Sequence, residues 1–340
     1  MKKIWTIFLA AFILTLITGC AGRKEAEREI YAMDTYMSVR AYGDESGEAV
    51  DEAIEEIRKL DRMLSAVSKN SVIYEINEKG QGRLQEEAAE LFDRSLEISE
   101  MTGGSFDITI YPLVRLWGFS DGNFCVPDSG RLSEELSKVG YGKIEWDKKS
   151  GRLKLSQGQM LDMGAIAKGY AGDRVREIFQ RHGIESGLIY LGGNVLCYGQ
   201  KPEGGKWRCG IKDPLHPEDN SRYLGCLYAQ DLAIVTSGAY ERYFTDPDTG
   251  NIYHHILDPA TGYPARSGII SSTIIAKDAA LADALSTAAY VSGRKKAELL
   301  WRQHREEFDM ILMTEDGKLY ITPGIAGDFE ASYPCEIIEK

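Results

Sequence analysis

Past Gly183 the chain changes character, and that change constrains its fold more than any other feature. Short apolar runs at residues 188–191, 195–198, 207–211, 223–228, 232–236 and 252–257 follow one another, with 269–276 the last before a helix. Runs of this length, bounded by Gly, Asn and Asp, read as strands. The first half of the chain reads differently. Residues 48–64 put Val50, Ala53, Ile54, Ile57, Leu60 and Leu64 on one helical face, and residues 86–101 form a second amphipathic helix closed by Gly103-Gly104. A first strand is expected over 33–42, a hairpin at 144–146 and 153–155, and a helix from the 161–170 segment to about residue 181. Further helices follow at 279–291 and 294–308, then a closing hairpin at 310–313 and 319–321. Helices in blocks between runs of short strands predict an α+β fold rather than regular βαβ alternation. With no repeat or linker inside 30–338, a single domain over residues 31–338 is expected.

The N-terminus points to a compartment. Lys2 and Lys3 precede an apolar run over residues 4–17, which ends in Thr18-Gly19-Cys20. These are the parts of a secretory signal, and the run is short for a membrane span. Small residues directly before a cysteine are similar to a bacterial lipobox. That implies removal of residues 1–19, lipidation of Cys20, a charged tether over 20–30, and anchoring at the extracytoplasmic face of the cell membrane. The other five cysteines show no C-x-x-C spacing, so neither a zinc nor a redox motif is visible. A net charge of −12 without a basic block argues against a nucleic-acid partner.

Three stretches concentrate reactive groups. His254-His255-Ile256-Leu257-Asp258-Pro259-Ala260-Thr261-Gly262-Tyr263-Pro264 carries two imidazoles, a carboxylate and a hydroxyl, and its prolines restrain Asp258 and Tyr263. If extended, it turns the two histidines to opposite sides, so at most one faces the chemistry. His255 is spaced to meet Asp258 after the bend, a pairing that would favour a charged or oriented imidazole, as a general base with a pKa near the working pH requires. Ser237 would complete a Ser-His-Asp set, although no G-x-S-x-G elbow supports it. Asp283 and Thr287, four apart on a helix, offer two hard oxygen ligands suited to Mg²⁺; a plain solvated aspartate is the alternative. Between Asp162 and Tyr170, Gly164 and Gly169 flank Lys168 at a strand-to-helix junction that favours phosphate, without a familiar nucleotide-loop motif. Gly192-Gly193-Asn194 either brings backbone close to a ligand or forms a plain turn.

Taken in order, these motifs resemble the ApbE-type FAD:protein FMN transferases, a family of common bacterial lipoproteins. The resemblance runs from about Met33 to Ile321. It rests on Met33-Asp34-Thr35, Ser105-Phe106-Asp107, Leu116-Trp117-Gly118-Phe119, the Leu161 to Tyr170 segment and Gly192-Gly193-Asn194. Thr236-Ser237-Gly238, His255-Ile256-Leu257-Asp258-Pro259 with Thr261-Gly262, and Ala282-Asp283-Ala284-Leu285-Ser286-Thr287 complete it. It implies an α+β domain of mixed and antiparallel sheets with packed helices and FAD in a central cleft. The implied reaction splits FAD, attaches FMN through a phosphoester to a Thr or Ser hydroxyl of a partner flavoprotein, and releases AMP. It further implies Mg²⁺ held by Asp283, Thr287 and the carbonyl of Ala165, and FAD contacts at Met33, Ser105, Phe106, Asp107, Asp162, Lys168 and Leu257. His255 takes the catalytic role, and the partner is an FMN-accepting domain of a respiratory or extracellular electron-transfer subunit. Two departures stand out: Asp34 where the family usually has Gly, and Ala66-Val67 near a position where relatives often carry an aromatic residue. The competing readings are a Mg²⁺-dependent FAD pyrophosphatase, a non-catalytic flavin- or solute-binding lipoprotein, and a redox enzyme, the last lacking a second carrier motif.

Overall fold

Successive side chains of a strand face opposite sides of its sheet, and the central strands of this chain are apolar on both. That pattern demands a covered sheet. The computed structural model describes residues 24–339, so the signal segment and Cys20 lie outside the described residues. The chain enters as a hairpin of β1 (Glu25–Ala32) and β2 (Thr35–Tyr42). It continues through α1 (Ser46–Leu64), α2 (Val72–Lys79), β3 (Gln81–Arg83), α3 (Glu86–Met101), α4 (Tyr111–Leu116), α5 (Ser129–Leu136), β4 (Glu145–Asp147) and β5 (Arg152–Lys154). After α6 (Ala167–Arg181) come β6 (Ser186–Leu191), β7 (Asn194–Gly199), β8 (Trp207–Lys212), β9 (Tyr223–Ala229), β10 (Leu232–Gly238), β11 (Tyr243–Thr245), β12 (Ile252–His254) and β13 (Ile269–Ala276). The last elements are α7 (Ala279–Ser292), α8 (Arg294–Gln303), β14 (Phe308–Thr314), β15 (Leu319–Ile321), β16 (Phe329–Ala331) and β17 (Cys335–Ile337).

A nine-stranded sheet in the order β1-β2-β6-β7-β10-β13-β14-β15-β17 organises the molecule. Its ladders are antiparallel except the last, where β15 and β17 run parallel. On one face Val39, Ile189, Leu196, Val235, Ile274 and Leu312 join the main core with residues of α1, α6 and α7. Their neighbours Cys197, Ile234, Ile275 and Ile311 face the other way, into a second core closed by the small sheet β16-β9-β8. A third cluster, around Leu113, Leu116, Trp117, Phe119 and Leu257, stands apart from both. The single α+β domain expected from the order of helices and strands is the one observed.

Capping fixes the helix ends near the site. The Asp278 carboxylate accepts the Leu281 N–H at 2.8 Å, while Asp173 of α6 accepts those of Ala279 and Ala280, each at 2.9 Å. Three of the four unpaired donors at the start of α7 are thereby satisfied.

Some boundaries differ from expectation. Residues 25–30, read as part of a tether, are edge strand, and the expected strand over 252–257 stops at His254. The helix expected to reach 308 ends at Gln303, because Phe308 already pairs with Ala276 in the main sheet. Helices α2 and α5, eight residues each, are too short to show a helical period in sequence.

Candidate functional site

The histidine turn is built by hydrogen bonds of its own residues. Beyond β12 the chain folds back so that Leu257 bridges Pro264. The Asp258 carboxylate accepts the Ala260 N–H at 2.9 Å and the Thr261 hydroxyl at 3.1 Å, and its carbonyl accepts the Gly262 N–H at 2.8 Å. The Trp117 indole donates to the Gly262 carbonyl at 2.8 Å and packs on Tyr253 and Tyr263. Asp258 therefore holds the turn and does not partner His255, correcting that expectation.

His255 is oriented instead by backbone: its Nδ1 lies 3.0 Å from the Arg242 carbonyl. A carbonyl only accepts, so Nδ1 carries the proton and Nε2 keeps a lone pair. Burial pushes the imidazole down to about 4, the cationic Arg242 and Lys168 add to the effect, and the Arg242 carbonyl opposes it. The expected pKa near neutrality is thus corrected: without ligand, this ring is a neutral acceptor. His254 faces away, with Nε2 3.1 Å from the Ala265 carbonyl and its ring edge-on to Tyr290.

A second wall comes from α6 and α7. Asp283 is 4% exposed, and Gly169 donates its N–H to Oδ2 at 2.9 Å. A Cβ at Gly169 would stand 2.1 Å from the Ala279 carbonyl oxygen, so glycine is what lets the helices approach this closely. Lys168 Nζ sits 3.2 Å from the Gly164 carbonyl and 3.9 Å from Asp283 Oδ2. One turn along α7, the Thr287 hydroxyl lies 3.3 Å from Ser237 Oγ, which also pairs with Ser286 at 2.7 Å. Asp283 and Thr287 share a helix as expected, but Asp283 is buried rather than a solvated surface residue. Ser237 hydrogen-bonds hydroxyls, not an imidazole, and forms no triad.

Asp162 links the two walls. Asn77 clamps Leu161 from both sides, donating to its carbonyl at 2.9 Å and accepting its N–H at 2.6 Å. Asp162 Oδ1 accepts the Gly164 N–H at 2.8 Å. Burial raises its pKa, opposed by the Gly164 bond and the cations of Lys168 and Arg242. The same two cations act on His255, so Lys168 and Arg242 lie within electrostatic reach of both groups.

The remaining expected ligand residues divide. Phe106 is 2% exposed in the main core, and Leu257 lies in the third cluster, which leaves mainly their backbone to meet a ligand. Asp107 spends its carboxylate on the Thr109 N–H and hydroxyl, at 2.8 and 2.6 Å, and on the Tyr141 N–H at 2.9 Å. Its role is to shape the loop that carries the half-buried Ser105. Met33 and Asp34 form the β1–β2 turn with φ of 49° and 57°, and Asp61 accepts the Met33 N–H at 3.0 Å. Thr35 packs against Gly192, which sets this turn beside the β6–β7 turn. Ala165 stands in the turn leading into α6. A cleft of 640 Å³ lined by Asn77, Lys79, Arg115, Lys154 and Met160, among others, contains none of the expected site residues. Arg242, whose carbonyl orients His255, and Trp117, which anchors the turn, were not legible as site residues: each acts through a contact more than a hundred residues away or through backbone.

Fold and site together define an α+β protein with a carboxylate–hydroxyl pair on a core helix and an oriented, neutral histidine, with the Lys168 cation acting on both Asp283 and the ring. Comparison with known proteins adds the lineage. The model of the ApbE family matches residues 33–312. A FAD:protein FMN transferase of Treponema pallidum is 31% identical over 347 residues, covering 94% of both chains. One of Klebsiella pneumoniae is 32% identical over 271 residues, 78% of this chain and 82% of its own. The crystal structure of the ApbE protein of Thermotoga maritima superposes with a TM-score of 0.80 at 33% identity, covering 87% of this chain and 96% of that one. The chain belongs to the ApbE family.

Proposed function

We propose that this protein is a Mg²⁺-dependent FAD:protein FMN transferase that attaches FMN to a Thr or Ser hydroxyl of a target flavoprotein and releases AMP. The observation that carries this reading is His255. Its Nδ1 is committed to a carbonyl, which leaves Nε2 free to accept a proton, and the Lys168 cation stands within reach. In the proposed step the acceptor hydroxyl oxygen attacks the FMN-side phosphorus and its proton passes to Nε2. The bond to the AMP oxygen breaks as the new P–O bond forms. Lys168 receives pyrophosphate charge.

The donor set fits a small divalent cation. A nearly buried carboxylate with one hydrogen bond, to the Gly169 N–H, among the described residues offers a hard anionic oxygen. Asp283, Thr287 and the Ala165 carbonyl are the residues that would hold Mg²⁺, which when bound neutralises phosphate charge. Met33, Ser105, Phe106, Asp107, Asp162, Lys168 and Leu257 line or shape the proposed FAD site. We further propose that Cys20 is lipidated, tethering the enzyme at the extracytoplasmic face, where a respiratory or electron-transfer flavoprotein is the acceptor.

The test incubates the protein with FAD, MgCl₂ and an FMN-accepting domain carrying its target Thr. A covalent flavin band that is lost in His255→Ala and on replacing the target Thr by Ala is expected. No adduct from the unmodified protein overturns the transferase reading, and equal AMP release without acceptor makes it a pyrophosphatase. Fatty-acid labelling that persists in Cys20→Ala would overturn the anchor.

A further inference from the structure

The proposed chemistry uses none of the cysteines, yet two of them meet. Cys197 on β7 and Cys209 on β8 are free thiols whose sulfurs lie 3.3 Å apart. β7 belongs to the nine-stranded sheet and β8 to the three-stranded one. Cys197 is fully buried in the second core, and Cys209 packs at the edge of that core. The same two strands are tied nearby by the Trp207 indole, which donates to the Gly199 carbonyl at 3.1 Å.

We propose that Cys197 and Cys209 form a disulfide that covalently staples the small sheet to the large one. The sulfurs need to close by only about 1.2 Å to reach bonding distance. Each strand projects its cysteine into the layer between the sheets, so the bond joins elements already packed together and closes a short loop over residues 197–209. The oxidant is a disulfide donor. Cys209 is the more accessible sulfur and reacts first. Its thiolate attacks one donor sulfur and expels the other as a thiolate. Cys197 then loses its proton, attacks Cys209 Sγ and expels the second donor thiol. Two protein thiols are oxidised, and one donor disulfide is reduced to two thiols.

The experiment treats the reduced full-length protein with oxidised glutathione, blocks residual thiols with iodoacetamide in denaturant and digests with trypsin. Cleavage after Lys206 and Arg208 puts the two cysteines on separate peptides. The expected result is one linked pair, Cys197 to Cys209, with Cys125, Cys226 and Cys335 alkylated. Tm should rise by about 5 °C, and neither the rise nor the linked peptide should appear in Cys209→Ser. Alkylated Cys197 and Cys209 after oxidation would overturn the proposal, as would either residue joined to glutathione or to another cysteine. A linked pair without a rise in Tm would overturn the stapling role.

Discussion

His255 shows how tertiary setting overrides what a residue announces in sequence. Spacing suggested Asp258 as its partner and a pKa near neutrality, but Asp258 turns its oxygens onto its own loop and burial drives the imidazole down to about 4. The consequence is a pH profile. Because kcat/KM reports the free enzyme, its acid limb assigned to His255 should fall near pH 4 rather than 6.5. Steady-state rates from pH 3.5 to 8, with His255→Gln as control, check this, and a limb at 6.5 removed by the substitution would contradict it. The same shift has a stability sign. The folded pKa lies below the unfolded one, so the unfolded chain takes up the proton first, and stability is lost as pH falls from about 6.5 toward 4. At Asp283 the buried carboxylate should make metal binding visible without turnover. Millimolar MgCl₂ should raise Tm, and Asp283→Ala should abolish the rise; a rise surviving the substitution would move the metal elsewhere.

At the scale of elements, two close approaches decide the geometry. The β1–β2 turn holds two non-glycine residues at positive φ, the pattern of a type I′ hairpin. That backbone suits the glycine the resemblance leads one to expect at the position of Asp34: it wants the left-handed region, which Asp tolerates better than most. Asp34→Val should cost about 1–2 kcal/mol in urea unfolding, while Asp34→Gly should not destabilise; equal effects would refute the backbone argument. Helices α6 and α7 meet at Gly169, where a Cβ would lie 2.7 Å from that of Asp283. Gly169→Ala should therefore lower stability by about 1–3 kcal/mol and weaken the Mg²⁺ response together with it. A stable variant with normal Mg²⁺ response would show that the helices have room.

Across the whole molecule, both main cores are built on one sheet, since adjacent residues such as Val235 and Ile234 face opposite layers. Loss of that sheet removes both cores at once. Thermal unfolding followed by tryptophan fluorescence and by far-UV circular dichroism should give one coincident transition, and two separated midpoints would show the small sheet unfolding alone. Much of this architecture was legible in sequence because α1 and α3 repeat apolar residues at helical spacing and the strands past Gly183 are short and well punctuated. Asp283 and Thr287 could be paired because a single helix sets their spacing. Arg242 could not, since it orients His255 through a carbonyl that every residue possesses. β1 was invisible for another reason: Glu-Ala-Glu-Arg-Glu-Ile-Tyr-Ala carries charge along an exposed edge and lacks the apolar alternation of a half-buried strand.

That edge strand has a practical meaning for anyone preparing the protein. Trimming the N-terminus back to residue 31, past the end of the charged stretch, would cut away most of β1. The ladder of β2 would then lie open beside Met37, Val39 and Ala41, residues of the main core. An unguarded strand beside apolar side chains is an invitation to self-association. A soluble form should begin ahead of Glu25.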